Sequence, residues 1–135
     1  INFSGRNPLI GAHDEPYFPD MSNAYDARTR GIVKDLAAGL NMSLFEGVYL
    51  FALGPNYETP SEVKLFKMFG ADAVGMSTVP EVIAAVHKGL KVLAFSVISN
   101  LGTGLTSEVQ NHQDVLAQVE KSSKQLETLI KTYLQ

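Results

Sequence analysis

The sequence has no cysteine, which excludes disulfides, thiolate metal sites and thiol nucleophiles and leaves the redox compartment open. It also lacks a long apolar run. The longest, Val48–Leu53, has six residues, against the roughly 18 that a membrane helix needs. There is no excess of positive charge. Eleven Lys and Arg stand against 14 Asp and Glu, a formal net charge of −3, which offers no footprint for nucleic acid. Only three histidines occur, His13, His87 and His112. None has a His or carboxylate partner at a ligand spacing, so no metal site is expected. The opening Ile1-Asn2-Phe3 is neither an initiator Met nor a secretory leader. The expectation is a piece of a longer protein, entered in mid-chain.

What is present describes a folded domain. Of 135 residues, 45% are apolar and 19% charged, with a mean hydropathy of +0.03. Disorder needs the opposite balance. At this length a domain buries roughly 68–70% of its unfolded surface, enough for one core.

Residues 1–22 are broken by Gly5, Asn7-Pro8, Gly11, Pro16 and Pro19, and read as a loop region. Over residues 23–40 the apolar set Tyr25, Ile32, Val33, Leu36 and Leu40 recurs at helical spacing, with Ser22 as the expected N-cap. Three strand–helix units then fill residues 48–134. The first is Val48–Leu53, a turn at Gly54-Pro55-Asn56, and a helix opened by the capping box Thr59-Pro60-Ser61-Glu62. The second is Asp72–Met76, then Thr78-Val79-Pro80-Glu81 as a second capping box, with a stop at Gly89. The third is Lys91–Ile98, a Gly-rich loop, and a helix from Asn111 to Leu134 with Val115, Val119, Leu126, Leu129, Ile130 and Tyr133 on one stripe. Strands alternating with helices predict an α/β fold, a parallel or mixed sheet with flanking helices.

In such sheets ligands bind beyond the carboxyl ends of the strands, which nominates the loops Gly54–Glu58, Met76–Thr78 and Ser99–Thr106. Ser77 sits where a strand feeds a helix N-terminus, whose free N–H groups attract anions. Taken alone, Ser77 as a turn residue, Glu58 as a solvated loop carboxylate and Asn100 as a turn former remain open readings. Gly102-Thr103-Gly104 imitates the start of a dinucleotide fingerprint. Ser107 stands in place of the third glycine and no further strand follows, so a nicotinamide cofactor is not expected.

One stretch carries more. Gly70-Ala71-Asp72-Ala73-Val74-Gly75-Met76-Ser77-Thr78-Val79-Pro80-Glu81 resembles the signature of the trimeric purine nucleoside phosphorylases. So do Gly11 with Asp20-Met21-Ser22-Asn23-Ala24-Tyr25-Asp26, Gly54-Pro55-Asn56-Tyr57-Glu58-Thr59, Ser96–Asn100, and Asn111-His112 followed by Asp114-Val115-Leu116. The resemblance implies the C-terminal half of a single nucleoside phosphorylase-type α/β domain. It implies phosphorolysis of inosine and guanosine to free base and ribose 1-phosphate in purine salvage. Phosphate would be a co-substrate, with no cofactor. It also implies a cytoplasmic homotrimer whose loop 14–20 reaches the neighbouring site through Tyr17 or Phe18.

By the same resemblance Glu58 and Asn100 are the catalytic pair on the purine, with Val74 and Tyr57 lining the base. Met76, Tyr57 and His112 meet the ribose, and Ser77 meets phosphate. The chemistry is coherent, because an amide both donates to O6 and accepts from a protonated N7, which no carboxylate does. A site built for a 6-oxo group rejects a 6-amino base. A methylthioadenosine phosphorylase, which places Asp where Asn100 stands, and a non-catalytic purine-binding or assembly fragment are the alternatives. The 135 residues alone are expected to be inactive, since the missing half would carry most of the phosphate site.

Overall fold

The computed structural model describes residues 1–11, 18–106 and 112–135, the last without the side chains of 112–118 and 121. Its elements run α1 (Ala27–Gly39), β1 (Tyr49–Phe51), α2 (Pro60–Met68), β2 (Ala73–Gly75), α3 (Val79–His87) and α4 (His112–Leu134). β1 and β2 pair in parallel, with Tyr49 opposite Ala73, Leu50 opposite Val74 and Phe51 opposite Gly75. α2 makes the crossover between them.

The first residues correct the expected loop. Phe51 N–H donates to Ile1 O (2.8 Å) and Phe3 N–H to Phe51 O (3.0 Å), so Ile1–Phe3 lies parallel along the free edge of β1. Three residues are too few to show strand periodicity in a sequence. Phe3 then meets α2, its ring 4.9 Å from Phe66 in an edge-on contact and 6.0 Å from Phe69.

Strand alternation separates two helical layers. Tyr49 and Phe51 share one face and pack with Val79 and Ile83 of α3, joined by Leu9. Leu50 points the other way and is fully buried. A second cluster forms where α1 crosses α4. Val33, Ala37 and Leu129 are each 1% exposed, and Leu36, Met42, Leu44, Leu93 and Phe95 close over them. Of the described part of the expected α4 stripe, Leu129 alone is buried to that degree, while Val119, Ile130 and Tyr133 stay over a third exposed.

The helix ends show where local chemistry decides. α1 begins four residues after the expected start, because the Ser22 hydroxyl is committed to Asp20 (2.6 Å). Asp26 takes the capping role instead, accepting from Thr29 N–H (2.8 Å) and Thr29 Oγ1 (2.7 Å). The box at α2 forms as expected, with Thr59 N–H donating to Glu62 Oε2 (2.7 Å) and Glu62 N–H to Thr59 Oγ1 (3.3 Å), and with Pro60 in the first turn. The box at Thr78 does not form, since that side chain caps no amide. α3 stops at Gly89 as expected; φ there is +72° and Leu90 N–H returns to Ala85 O (2.9 Å).

The third expected strand is also corrected. Among the described residues the sheet has two named strands, and residues 91–98 are not one of them. A strand exists only by exchanging hydrogen bonds with a neighbour. Here Val92 O instead accepts from Asp26 N–H (2.9 Å) at the cap of α1, and Leu93 and Phe95 serve the α1–α4 core.

Thr59→Ala removes one partner of the capping box and is expected to cost about 1 kcal/mol, read as a lowered urea midpoint with unchanged slope. A pH dependence follows from the same caps. The Thr29 hydroxyl and amide hold the Asp26 carboxyl below its ordinary 3.8, and the Thr59 amide and hydroxyl hold Glu62 below 4.5. Both folded values lie under the unfolded ones, so their stabilisation is complete above these values and fades as pH drops through the folded ones. The urea midpoint should therefore be flat from neutral pH to about pH 5 and fall below about pH 4.

Candidate functional site

β1 and β2 end on the same side of the sheet because they are parallel, and their loops open onto one cleft of about 680 Å³. Tyr57 and Glu58 reach it from the loop between β1 and α2, Val74 and Met76 from β2 and its end, and Asn100 from the segment before the Gly-rich loop. Five residues singled out in the sequence are thus brought together on one cavity. Val63 and Phe66 of α2 form its apolar back wall, a contribution that no polar motif advertised.

Ser77 lies outside the lining of this cleft. Its hydroxyl is 3.1 Å from Thr78 Oγ1. The side chain of His112 falls outside the described residues, as do His13 and residues 14–17 of the loop expected to reach a neighbour. Phe18 is described and is 95% exposed.

The side chains are positioned by their loops. Thr59 caps α2 immediately after Glu58, fixing where the carboxylate leaves the backbone, and Asn56 Nδ2 donates to Tyr57 O (2.8 Å). Glu58 is half-buried and Tyr57 is 42% exposed. The Asn100 amide faces its own segment: Oδ1 accepts from Ser99 Oγ (2.5 Å) and Nδ2 donates to Leu101 O (3.0 Å). The Gly-rich loop rests on the start of α2. A Cβ on Gly104 would sit 2.7 Å from Pro60 Cβ, and one on Gly102 would sit 3.2 Å from Val63. These glycines permit close approach of the loop to α2.

Ser77-Thr78-Val79 is the feature that sequence reasoning misread. Thr78 has φ +76° and ψ −53°, and Val79 N–H donates to Ser77 O (2.9 Å). This is a γ-turn of the strained hand, which a β-branched residue adopts at a cost of order 1–3 kcal/mol. The turn swings Thr78 away from the capping position and presents Ser77, exposed, at the start of α3. No local signal marks a threonine for this conformation.

Among the described residues no group of three or more His, Cys, Asp or Glu is arranged to hold a metal. No described helix is long and apolar enough to cross a membrane.

Compared with known proteins, the chain matches the model of the phosphorylase superfamily over residues 1–135. It is similar to purine nucleoside phosphorylase 1 of Geobacillus stearothermophilus, 48% identical over 124 residues that cover 90% of this chain and 45% of that protein. The purine nucleoside phosphorylase of Mus musculus is 44% identical over 135 residues, 95% of this chain and 47% of its own. A Schistosoma mansoni purine nucleoside phosphorylase solved with adenosine superposes with a TM-score of 0.89 at 33% identity, covering 93% of this chain and 48% of that one. Isoform 2 from the same organism, solved with cytosine and ribose-1-phosphate, gives 0.85 at 38% identity, covering 98% and 50%. The α/β architecture read from the sequence is that of these structures. The chain spans about half the length of the curated relatives it matches.

Thr78→Gly removes the conformational penalty while keeping the turn accessible. It is expected to raise stability by about 1 kcal/mol, measured as an increased urea midpoint. A decrease would mean that Thr78 side-chain contacts outweigh the strain.

Proposed function

This chain belongs to the phosphorylase superfamily, and from that we propose that its 135 residues are the C-terminal half of a single catalytic domain that cleaves 6-oxopurine nucleosides with inorganic phosphate. The products are free base and ribose 1-phosphate. The observation that carries the reading is the meeting of Glu58 and Asn100, from loops far apart in the sequence, on one cleft with an apolar wall.

In phosphorolysis the glycosidic bond breaks with positive charge gathering on the ribose and negative charge on the departing purine. Groups that hold the purine better as it becomes anionic accelerate the step. Glu58 accepts from N1–H and, in guanine, from the 2-amino group. Asn100 donates from Nδ2 to O6 and accepts at Oδ1 from the N7 proton. Tyr57 and Val74 pack on the base, Met76 and Tyr57 on the ribose, and His112 stands at the 5′-hydroxyl. Ser77, presented by the γ-turn at the start of α3, meets phosphate where the N-terminal helix dipole favours an anion.

The whole protein is read as a cytoplasmic homotrimer of purine salvage, with loop 14–20 reaching the next subunit. Relatives support the ligand class: Schistosoma purine nucleoside phosphorylase has been solved with inosine, hypoxanthine and guanosine. A Schistosoma mansoni purine nucleoside phosphorylase has also been solved with adenosine, so the 6-oxo preference proposed here is a graded discrimination set by Asn100. The isolated chain is expected to release no hypoxanthine from inosine, because one serine is its only proposed phosphate contact.

Calorimetric titration of the chain with hypoxanthine and with adenine tests the reading. Hypoxanthine is expected to bind about ten- to a hundredfold more tightly, the size of one mispaired buried hydrogen bond. Asn100→Asp should reverse the order. Equal affinity for the two bases, unchanged by that substitution, would remove Asn100 from the purine site.

A further inference from the structure

We infer that Gly54 is a positioning residue for Met76, and that its missing side chain sets where the floor of the sugar site lies. Gly54 follows β1 with φ +67°, a conformation that side chains rarely adopt. A Cβ added there would overlap Met76 Sδ and lie 3.1 Å from its Cε and 3.2 Å from its Cγ. The thioether therefore lies directly over the bare Cα of Gly54.

The two residues belong to different loops. Ala52 N–H donates to Gly75 O (3.0 Å), so the chains leave β1 and β2 side by side. One continues from Gly54 to Tyr57 and Glu58, the other from Met76 to Ser77. Gly54 against Met76 is thus where the loop assigned to the base touches the loop assigned to the sugar and phosphate. Met is unbranched and adaptable, so its position is set by what it rests on. A methyl group at position 54 pushes the thioether into the cleft, toward the ribose. The space taken by the free base is left unchanged. The glycine thereby adjusts nucleoside binding relative to base binding.

The ligand part of this inference rests on the reading of Met76 as a ribose contact; the packing part does not. The experiment separates them. The chain has four methionines, Met21, Met42, Met68 and Met76. In the chain labelled with 13C at the Met methyl groups, Met76→Ala identifies the Met76 signal. Gly54→Ala is expected to move that signal and leave Met42, in the α1–α4 core, in place. Inosine affinity should fall about tenfold or more, a loss of about 1.4 kcal/mol, while hypoxanthine affinity stays within about twofold. A Met76 signal that does not move overturns the inference whatever the ligands do. A moved signal with inosine and hypoxanthine weakened equally overturns its ligand part.

Wild-type chain that binds neither compound counts against the proposed function, and the methyl signal still decides the packing. Should Gly54→Ala fail to fold, Gly54→Ala/Met76→Ala keeps the positive-φ cost and removes the overlap. A folded double variant then assigns the failure of the single one to the overlap with Met76. A double variant that also fails to fold, with Met76→Ala folded, would assign Gly54 to backbone conformation alone.

Discussion

Tyr49–Phe51 is hydrogen-bonded along both edges, to Ile1–Phe3 on one side and to β2 on the other. Its start is pinned twice more: Val48 N–H donates to Asp72 Oδ2 (2.8 Å) and Asp72 N–H to Val48 O (2.8 Å). The register matters because side chains alternate across a sheet. A slip of one residue in β2 would send Val74 and Met76 to the α3 side, and a slip in β1 would turn Tyr49 and Phe51 away from α3. Gly75 belongs to the same constraint, for a Cβ there would overlap the Tyr49 hydroxyl. The cleft exists because three residues of β1 are placed without freedom.

Beyond the strand ends, two left-handed backbone positions aim the loops. At Gly54 the required φ is met by a residue that adopts it at little cost. At Thr78 it is met by one that does not, and the strain is held by the surrounding fold: Val79 is buried against Phe51 and Ile83, and Val82 N–H bonds back to Thr78 O (2.9 Å). Strain kept by packing is a common mark of sites where a side chain must be shown rather than hidden, and here Ser77 is the one shown. Stability and presentation are coupled at this turn.

How much of this was legible follows from the range of each interaction. The box at Thr59 and the glycine stop at Gly89 are local, and both were readable. Ser22 failed as a cap because Asp20 competed for its hydroxyl, and nothing in the spacing says which partner wins. Thr78 failed as a cap because a tertiary demand overrode its preference. Strand identity for residues 91–98 and for Ile1–Phe3 was misjudged in opposite directions, since pairing is a property of two segments and one sequence pattern describes only one of them. The cleft-lining set of Tyr57, Glu58, Val74, Met76 and Asn100 came from motif resemblance. The roles of Gly54, Gly102 and Gly104 as contact surfaces appear only when the neighbour is in place.

The Asn100 amide carries one further implication. Its oxygen accepts from Ser99 Oγ and its nitrogen donates to Leu101 O, so both ends of the amide are tied to the residues on either side of it in the chain. The plane of the amide therefore turns with the backbone of residues 99–101. A substitution that alters this short stretch reorients the side chain without touching Asn100 itself.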